Sequence, residues 1–257
     1  MAIELRAPHQ DLPTRSARAA TAWAPLELTL INGFELRRAG RPVALPFGAQ
    51  RLLALLALRE HAMLRSQVAG ILWPDAMDGQ AGASLRSTLW RIRRSDCSAI
   101  RGAGPRIELA PVVRVDLRET YSLARRVLGT GPVVDASPEG IFRFERDLLP
   151  DWYEDWLQPD RERFRQMRLH ALERLSELLV ERHLFAAAVD AALSAIAGEP
   201  LRESAHRALI SVHLAEGNSG EAIRQYVCYE RLLLDELGIS PSAELRRLVE
   251  EGTGTRR

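Results

Sequence analysis

Apolar and polar positions change period along the chain. Leu26, Leu28 and Leu30 alternate with Glu27 and Thr29, the period of a half-buried strand. Asn32-Gly33 is a turn dipeptide, and residues 34–38 predict a second strand. Ala39-Gly40 with Pro42 turns the chain into a third strand at 43–45. Helical spacing follows. Leu52, Leu53, Leu56 and Ala57 share one face of a helix over about 50–58. A second helix covers about 65–72, with Ser66 as its cap and Val68, Ile71 and Leu72 facing inward. It ends at Trp73-Pro74-Asp75, because proline disfavours helix at the residue before it. Asp78 is the expected N-cap of a third helix over about 80–94. Residues 99–101 and 106–109 read as two strands joined by the turn Gly102-Ala103-Gly104-Pro105.

A sheet, three helices and a β-hairpin, in that order, is the element order of a winged helix-turn-helix with an N-terminal sheet. Beyond it, Val115-Asp116-Leu117 opens a further helix to about Leu128, and a Gly/Pro/Ser loop follows at 129–138. The remainder is helical and carries a repeat. Ala188, Ala192 and Ala195 recur as Ala222, Tyr226 and Tyr229 at an offset of 34, the tetratricopeptide period. Pro200 follows the first set. The second runs on to Gly238 and Pro241, which predicts a longer helix. The expected fold class is therefore mainly α with a small β component. A tail at 1–24 precedes a winged-helix unit at 25–114, a helical-repeat unit spans 115–251, and a tail covers 252–257.

On a helical wheel of the third helix, Leu85, Leu89 and Ile92 form the buried stripe. Ala83, Ser87, Trp90, Arg91 and Arg94 lie opposite, with Arg86 and Arg93 flanking the stripe. Like charges this close on one helix repel unless an anion neutralises them. Arginine suits that anion, since its planar fork binds guanine O6/N7 or phosphate in a bidentate way. Arg86, Arg91 and Arg94 are the expected DNA contacts, with Arg93 and Ser87 beside them. Small Ala83 and Ser87 permit approach to the floor of the major groove. Trp90 is expected to pack beneath the wing, with a thymine methyl or sugar as its other candidate partner. Arg101 and Arg106 bracket the hairpin turn, where a wing touches phosphate or enters the minor groove.

Charge sharpens this picture. All 35 basic residues are arginine, a bias that codon usage can impose by itself. Their distribution is more informative. Residues 26–114 hold 13 arginines against 7 acids, whereas residues 138–251 hold 14 against 22. A net +6 half can meet nucleic acid, and a net −8 half is repelled by it. The overall composition, 46% apolar and 27% charged, is that of a globular protein. No apolar run approaches the roughly 20 residues of a membrane span. Two cysteines, Cys97 and Cys228, make neither a disulfide framework nor a zinc module, and a cytoplasmic protein is expected.

Nothing in the sequence points to catalysis or a cofactor. There is no GxxxxGK[ST], GxSxG or HExxH element. His206 and His213 share a helical face, but no spacing brings three ligands to a metal. Trp152, Tyr153 and Trp156 are expected to pack into the core against the repeats, with a partner pocket as the other reading.

Several motifs in order resemble one family. GFELRRAGRPVALP at 33–46, QRLLALLAL at 50–58, LWPDA at 72–76 and SLRSTLWRIRR at 84–94 are similar to the Streptomyces antibiotic regulatory protein (SARP) family. ERDLLPDWYEDWLQPDRERFRQMRLHALERL at 145–175 and LGISPSAELR at 237–246 resemble its companion bacterial transcriptional activator domain. The resemblance implies an OmpR-like reader of promoter direct repeats, bound head to tail as a dimer, that recruits RNA polymerase through its sigma or alpha subunit. Two departures stand out. Gly104-Pro105-Arg106-Ile107 replaces the family's Gly-Tyr-Arg-Leu in the wing, and Ser95-Asp96-Cys97 replaces Ala-Leu after the third helix, which is expected to end a turn early. The competing functional readings are a repeat-based adaptor whose winged helix meets protein, and a ligand sensor built on the repeat surface.

Overall fold

The computed structural model describes residues 25–95, 98–129 and 138–254. The expected tail at 1–24, nearly all of the loop at 129–138, Asp96-Cys97 and the last three residues lie outside them. The chain is mainly helical with a small sheet component, and it divides into two compact units. Among the described residues, the first holds those up to Thr29 and from Phe34 to Val115, and the second holds Leu30–Gly33 and those from Asp116 onward.

The first unit opens with β1 (Leu26–Thr29), β2 (Glu35–Arg38) and β3 (Arg41–Pro42). β1 pairs antiparallel with β2, placing Leu28 opposite Leu36, and both leucines are buried. The third strand is earlier and shorter than the 43–45 expected. Ala39 and Gly40 both take positive φ, 49° and 75°, and make a two-residue hairpin that pairs Arg38 with Arg41 at once. Pro42 lacks an N–H to extend the ladder, which closes with one bond from Val43 N–H to the Leu36 carbonyl.

Helix α1 (Phe47–Arg59) starts three residues before the expected 50. The Pro46 carbonyl accepts from the Ala49 and Gln50 amides, and this start leaves no mark in hydrophobic period. Every residue from Leu52 to Ala57 is buried, because α1 is packed by other elements on several sides. β4 (Met63–Leu64), too short for the hydrophobic period to predict, leads into α2 (Arg65–Leu72) and then α3 (Asp78–Arg94). Neither expected cap holds. Leu64 caps α2, with its amide donating to the Gln67 side chain, and Ser66 lies inside the helix. Met77 caps α3, and Asp78 is its first residue, an acid at the positive end of the helix dipole. β5 (Ile100–Ala103) and β6 (Arg106–Leu109) form the hairpin, and β4 joins it in the order β4-β6-β5. β7 (Val113–Val115) pairs parallel with β1. Thus Val115 ends a strand instead of opening a helix.

In the second unit, α4 (Asp116–Leu128) begins at a buried carboxylate that accepts from the amides of Leu30, Ile31 and Leu117. Burial pushes the Asp116 carboxyl above its ordinary range, and the three amide donors partly offset this. α5 (Pro138–Phe144), a 3₁₀ turn at Asp155–Leu157 and α6 (Gln158–Glu181) follow. Then come α7 (Phe185–Gly198), α8 (Glu203–Glu216), α9 (Ser219–Leu237) and α10 (Ala243–Thr253), each packed on its neighbour. Ala188, Ala192 and Ala195 are buried on α7; Ala222 and Tyr229 are buried on α9, with Tyr226 half-buried. α9 is the longer helix, as expected, and stops at left-handed Gly238.

Arg168 is buried, and its guanidinium donates to Asp147 at 2.5 Å and to the Phe144 carbonyl at 3.2 Å. Gly198 passes so close that a Cβ there would stand 2.8 Å from Leu169 and 3.1 Å from Arg168. The aromatic cluster only partly follows expectation. Trp152 is buried and Trp156 half-buried with its indole N–H on Glu154, but Tyr153 is 93% exposed. The segment is non-helical there, and neighbouring side chains leave an extended backbone on opposite sides.

His206 is a core histidine. It stacks on Tyr229 at 4.0 Å, with Nε2 2.8 Å from the Pro200 carbonyl and Nδ1 2.8 Å from the Gln225 amide nitrogen. This is a neutral ring, donating from Nε2 and accepting at Nδ1. Burial lowers its pKa, and burial raises the Tyr229 hydroxyl to about 12. Below a pH of about 6.5, an unfolded His206 gains a proton that the folded one resists, so the unfolded state binds more protons and stability falls with pH. The second unit should therefore lose up to about 1.4 kcal/mol per pH unit on acidification below about 6.5. His206→Gln should flatten that part of the curve, as read by denaturant melts between pH 7.5 and 5.5.

Candidate nucleic-acid interface

The candidate surface is made by one helix with two unlike faces. α3 buries Ala81, Leu85, Thr88, Leu89 and Ile92 against the elements beneath it, chiefly α2 and α1. Thr88 is tolerated there because its hydroxyl donates to the Ser84 carbonyl at 2.8 Å. With that stripe inward, Ala83, Arg86, Ser87, Trp90, Arg91, Arg93 and Arg94 are all exposed. The helix stops after Arg94, where the Ser95 hydroxyl donates to the Ile92 carbonyl and the Ser95 amide to Arg91.

Trp90 does not pack beneath the hairpin. It is 56% exposed, and the Arg94 guanidinium lies 4.7 Å from its ring centroid. The physical reason is the wheel itself, because position 90 falls opposite the Leu85-Leu89-Ile92 stripe. The stack keeps the Arg94 charge while ordering both side chains. Arg86, Arg91 and Arg93 make no hydrogen bond or ion pair with any described residue. The second unit treats arginine differently. Arg143, Arg165, Arg168, Arg174, Arg202 and Arg224 each hold a carboxylate partner.

The hairpin turns through Gly104-Pro105, with Gly104 at φ +56°. Both of its expected contact arginines are exposed, and both already have a protein partner. Arg101 stands directly across the ladder from Glu108, with its Nε 2.6 Å from that carboxylate. Arg106 donates to the Ala62 carbonyl at 3.0 Å. A third arginine at the hairpin, Arg65, is one that sequence reasoning misses; it is the first residue of α2. Its amide donates to the Pro105 carbonyl at 2.9 Å, and its Nε to Gly104 at 3.2 Å. Only the β4–β6 pairing brings Arg65 to the hairpin tip; no local pattern marks it.

Among the described residues, no group of three or more His, Cys, Asp or Glu stands close enough to hold a metal ion. No helix among them is long and apolar enough to cross a membrane.

Comparison with known proteins agrees with the motifs. Residues 131–251 match the bacterial transcriptional activator domain. The regulatory protein AfsR of Streptomyces coelicolor is 27% identical over 256 residues, covering 95% of this chain and 26% of that protein. The transcriptional regulatory protein EmbR of Mycobacterium bovis is 27% identical over 261 residues, covering 91% of this chain and 65% of that one. The solved structure of Mycobacterium tuberculosis EmbR, in complex with a low-affinity phosphopeptide, aligns with a TM-score of 0.69 at 18% identity. That alignment covers 89% of this chain and 65% of that one, and it shows a shared fold. The chain spans about a quarter of the length of AfsR and about two thirds of EmbR. Residues 131–251 thus match a bacterial transcriptional activator domain, and most of the chain is similar to proteins named as transcriptional regulators.

The two faces of α3 predict opposite responses to truncation. Leu89→Ala should destabilise the first unit by about 2–5 kcal/mol. Arg91→Ala, on the opposite face, should change stability by no more than about 0.5 kcal/mol. Chemical denaturation of the two variants checks this.

Proposed function

We propose that the first unit is a winged helix-turn-helix that reads duplex DNA, with α3 as its recognition helix and the β5–β6 hairpin as its wing. The observation that carries this reading is the set of four exposed arginines on one side of α3, three of them without a partner among the described residues. An unneutralised cluster of guanidiniums on a rigid helix is complementary to a polyanion. Arg86, Arg91 and Arg94 are the leading base or phosphate contacts, with Arg93 and Ser87 at the margin. Trp90, exposed beside Arg94, is placed to meet a thymine methyl or a sugar. Arg101 contributes less than its sequence position suggests, because the Glu108 carboxylate already neutralises it, whereas Arg106 keeps its charge and only one terminal nitrogen is held, by the Ala62 carbonyl.

The second unit is proposed as a tetratricopeptide-like protein-contact domain. Its consecutive packed helices carry small residues at a 34-residue offset, and its net charge disfavours phosphate. On this reading the protein is a cytoplasmic, nucleoid-associated activator. It binds promoter direct repeats head to tail as a dimer and recruits RNA polymerase through the sigma or alpha subunit.

Two measurements test the reading. The Arg91→Ala/Arg94→Ala double variant should bind duplexes from the gene's own upstream region more weakly, by about 1–3 kcal/mol for each arginine that reads a base edge. Unchanged affinity with the fold intact defeats the assignment. Separately, two protomers on one face of B-DNA need half-sites roughly 10–11 bp apart, or a multiple. Inserting about half a helical turn between the repeats should abolish cooperative binding in a gel-shift titration. Cooperativity indifferent to the insertion indicates independent monomers.

A further inference from the structure

We infer that Arg65 and Arg93 together form a phosphodiester-binding notch between α3 and the β5–β6 hairpin, with Arg65 supplying the DNA contact on the wing side. This rests on the DNA-reading function proposed above. Neither sequence position nor local pattern singles Arg65 out; three observations in the structure do.

The first is how Arg65 is held. Its main-chain amide and its Nε are committed to the Pro105 and Gly104 carbonyls at the hairpin tip. That leaves the two terminal nitrogens of the guanidinium, the pair suited to gripping a phosphate. The side chain is half-buried, so it has less rotamer freedom to give up on binding.

The second is the room made for it. Gly102 lies across the hairpin from Ile107, and a Cβ at Gly102 would stand 3.3 Å from the Arg65 terminal nitrogen and 3.3 Å from Ile107 Cγ2. A side chain at 102 would press on both, so the glycine leaves the guanidinium room against the strand.

The third is the company it keeps. Arg65 and Arg93 line one narrow cleft whose other walls are Leu89, Ile92, Ile100, Gly102 and Ile107. Two cations thus face a cleft with apolar walls and no acid in its lining. Charges over an apolar surface are poorly screened, so an anion there interacts more strongly than on an open face. The ligand chemistry is a phosphate oxygen. The duplex backbone supplies it in register with α3; free phosphate has the same chemistry without the register.

The test uses the full chain and duplexes from the gene's upstream region, titrated over a range of KCl concentrations. Arg65→Ala should weaken specific and non-specific duplexes alike, by about 5–10-fold, and lower the slope of log K against log salt by about one. Arg93→Ala, whose side chain is exposed, should lower the slope by a similar amount even if Arg65→Ala perturbs the hairpin. Arg65→Lys should restore the slope, since it restores the charge. A scan of single uncharged methylphosphonates should find one position that weakens wild type and leaves Arg65→Ala unaffected. An unchanged slope in Arg65→Ala, or the lack of any such position, limits Arg65 to tying the hairpin and overturns the inference. Equal competition by millimolar free phosphate for wild type and Arg65→Ala also counts against the notch. If wild type shows no salt-dependent duplex binding, the DNA reading falls and the notch falls with it. If wild type binds and only the Arg65 arm fails, the DNA reading stands alone.

Discussion

Burial of one stripe of α3 is the constraint on which the candidate surface depends. Leu85, Leu89 and Ile92 repeat at helical spacing and are sealed against the elements beneath. Once they are inward, the helix has no rotational freedom left, and Arg86, Ser87, Trp90, Arg91, Arg93 and Arg94 face outward. The arginines repel one another, so the exposed face opposes folding by a few tenths of a kcal/mol per close pair. Each buried leucine contributes roughly 1.5–3 kcal/mol. The apolar stripe therefore prevails and holds a charge distribution that would not be stable on an isolated helix.

The same residue type serves two purposes in the two units. In the second unit several arginines are structural cross-links. Arg202 joins Glu173, and Arg168 joins Asp147 while donating to the Phe144 carbonyl. Such charges are neutralised locally and add little field at a distance. On α3 the guanidiniums project without carboxylate partners among the described residues, and their field extends into solvent over about 8–10 Å at ordinary ionic strength. A chain with a net charge of only +1 can thus present a strongly basic face, because the excess of acids lies at residues 138–251.

The hairpin shows how strand pairing redistributes roles. Arg101 and Arg106 bracket the turn in sequence, yet the antiparallel register sets Glu108 opposite Arg101, and β4 carries the chain from Ala62 past Arg106. Arg65 arrives at the turn from the far side of the same three-stranded sheet. Charge near a turn is therefore a weak guide to which guanidinium remains available. The partner across the ladder decides it.

Much of the architecture was legible in the chain alone. Period-2 alternation at Leu26 and Leu28, helical spacing at Leu85, Leu89 and Ile92, the Gly104-Pro105 turn and the 34-residue recurrence of Ala188 and Ala222 all report local geometry, which side-chain order encodes directly. So does the exposure of the arginine face, since one wheel fixes both sides of a helix. Tertiary structure decided what depends on distant partners. The two-residue strand β4 and the three-residue β7 are too short to show a period, and they exist only because β6 and β1 supply their hydrogen bonds. The caps at Leu64 and Met77 follow from where the chain enters each helix, so nearby Ser66 and Asp78 were misleading. Whether an aromatic side chain finds a wall to pack on is likewise settled in three dimensions. Tyr153 stands in solvent beside the buried Trp152, and only the folded chain brings the Arg94 guanidinium over the ring of Trp90. Local order in the chain specifies elements and faces; pairing between residues far apart in sequence specifies which charged groups are left free to act.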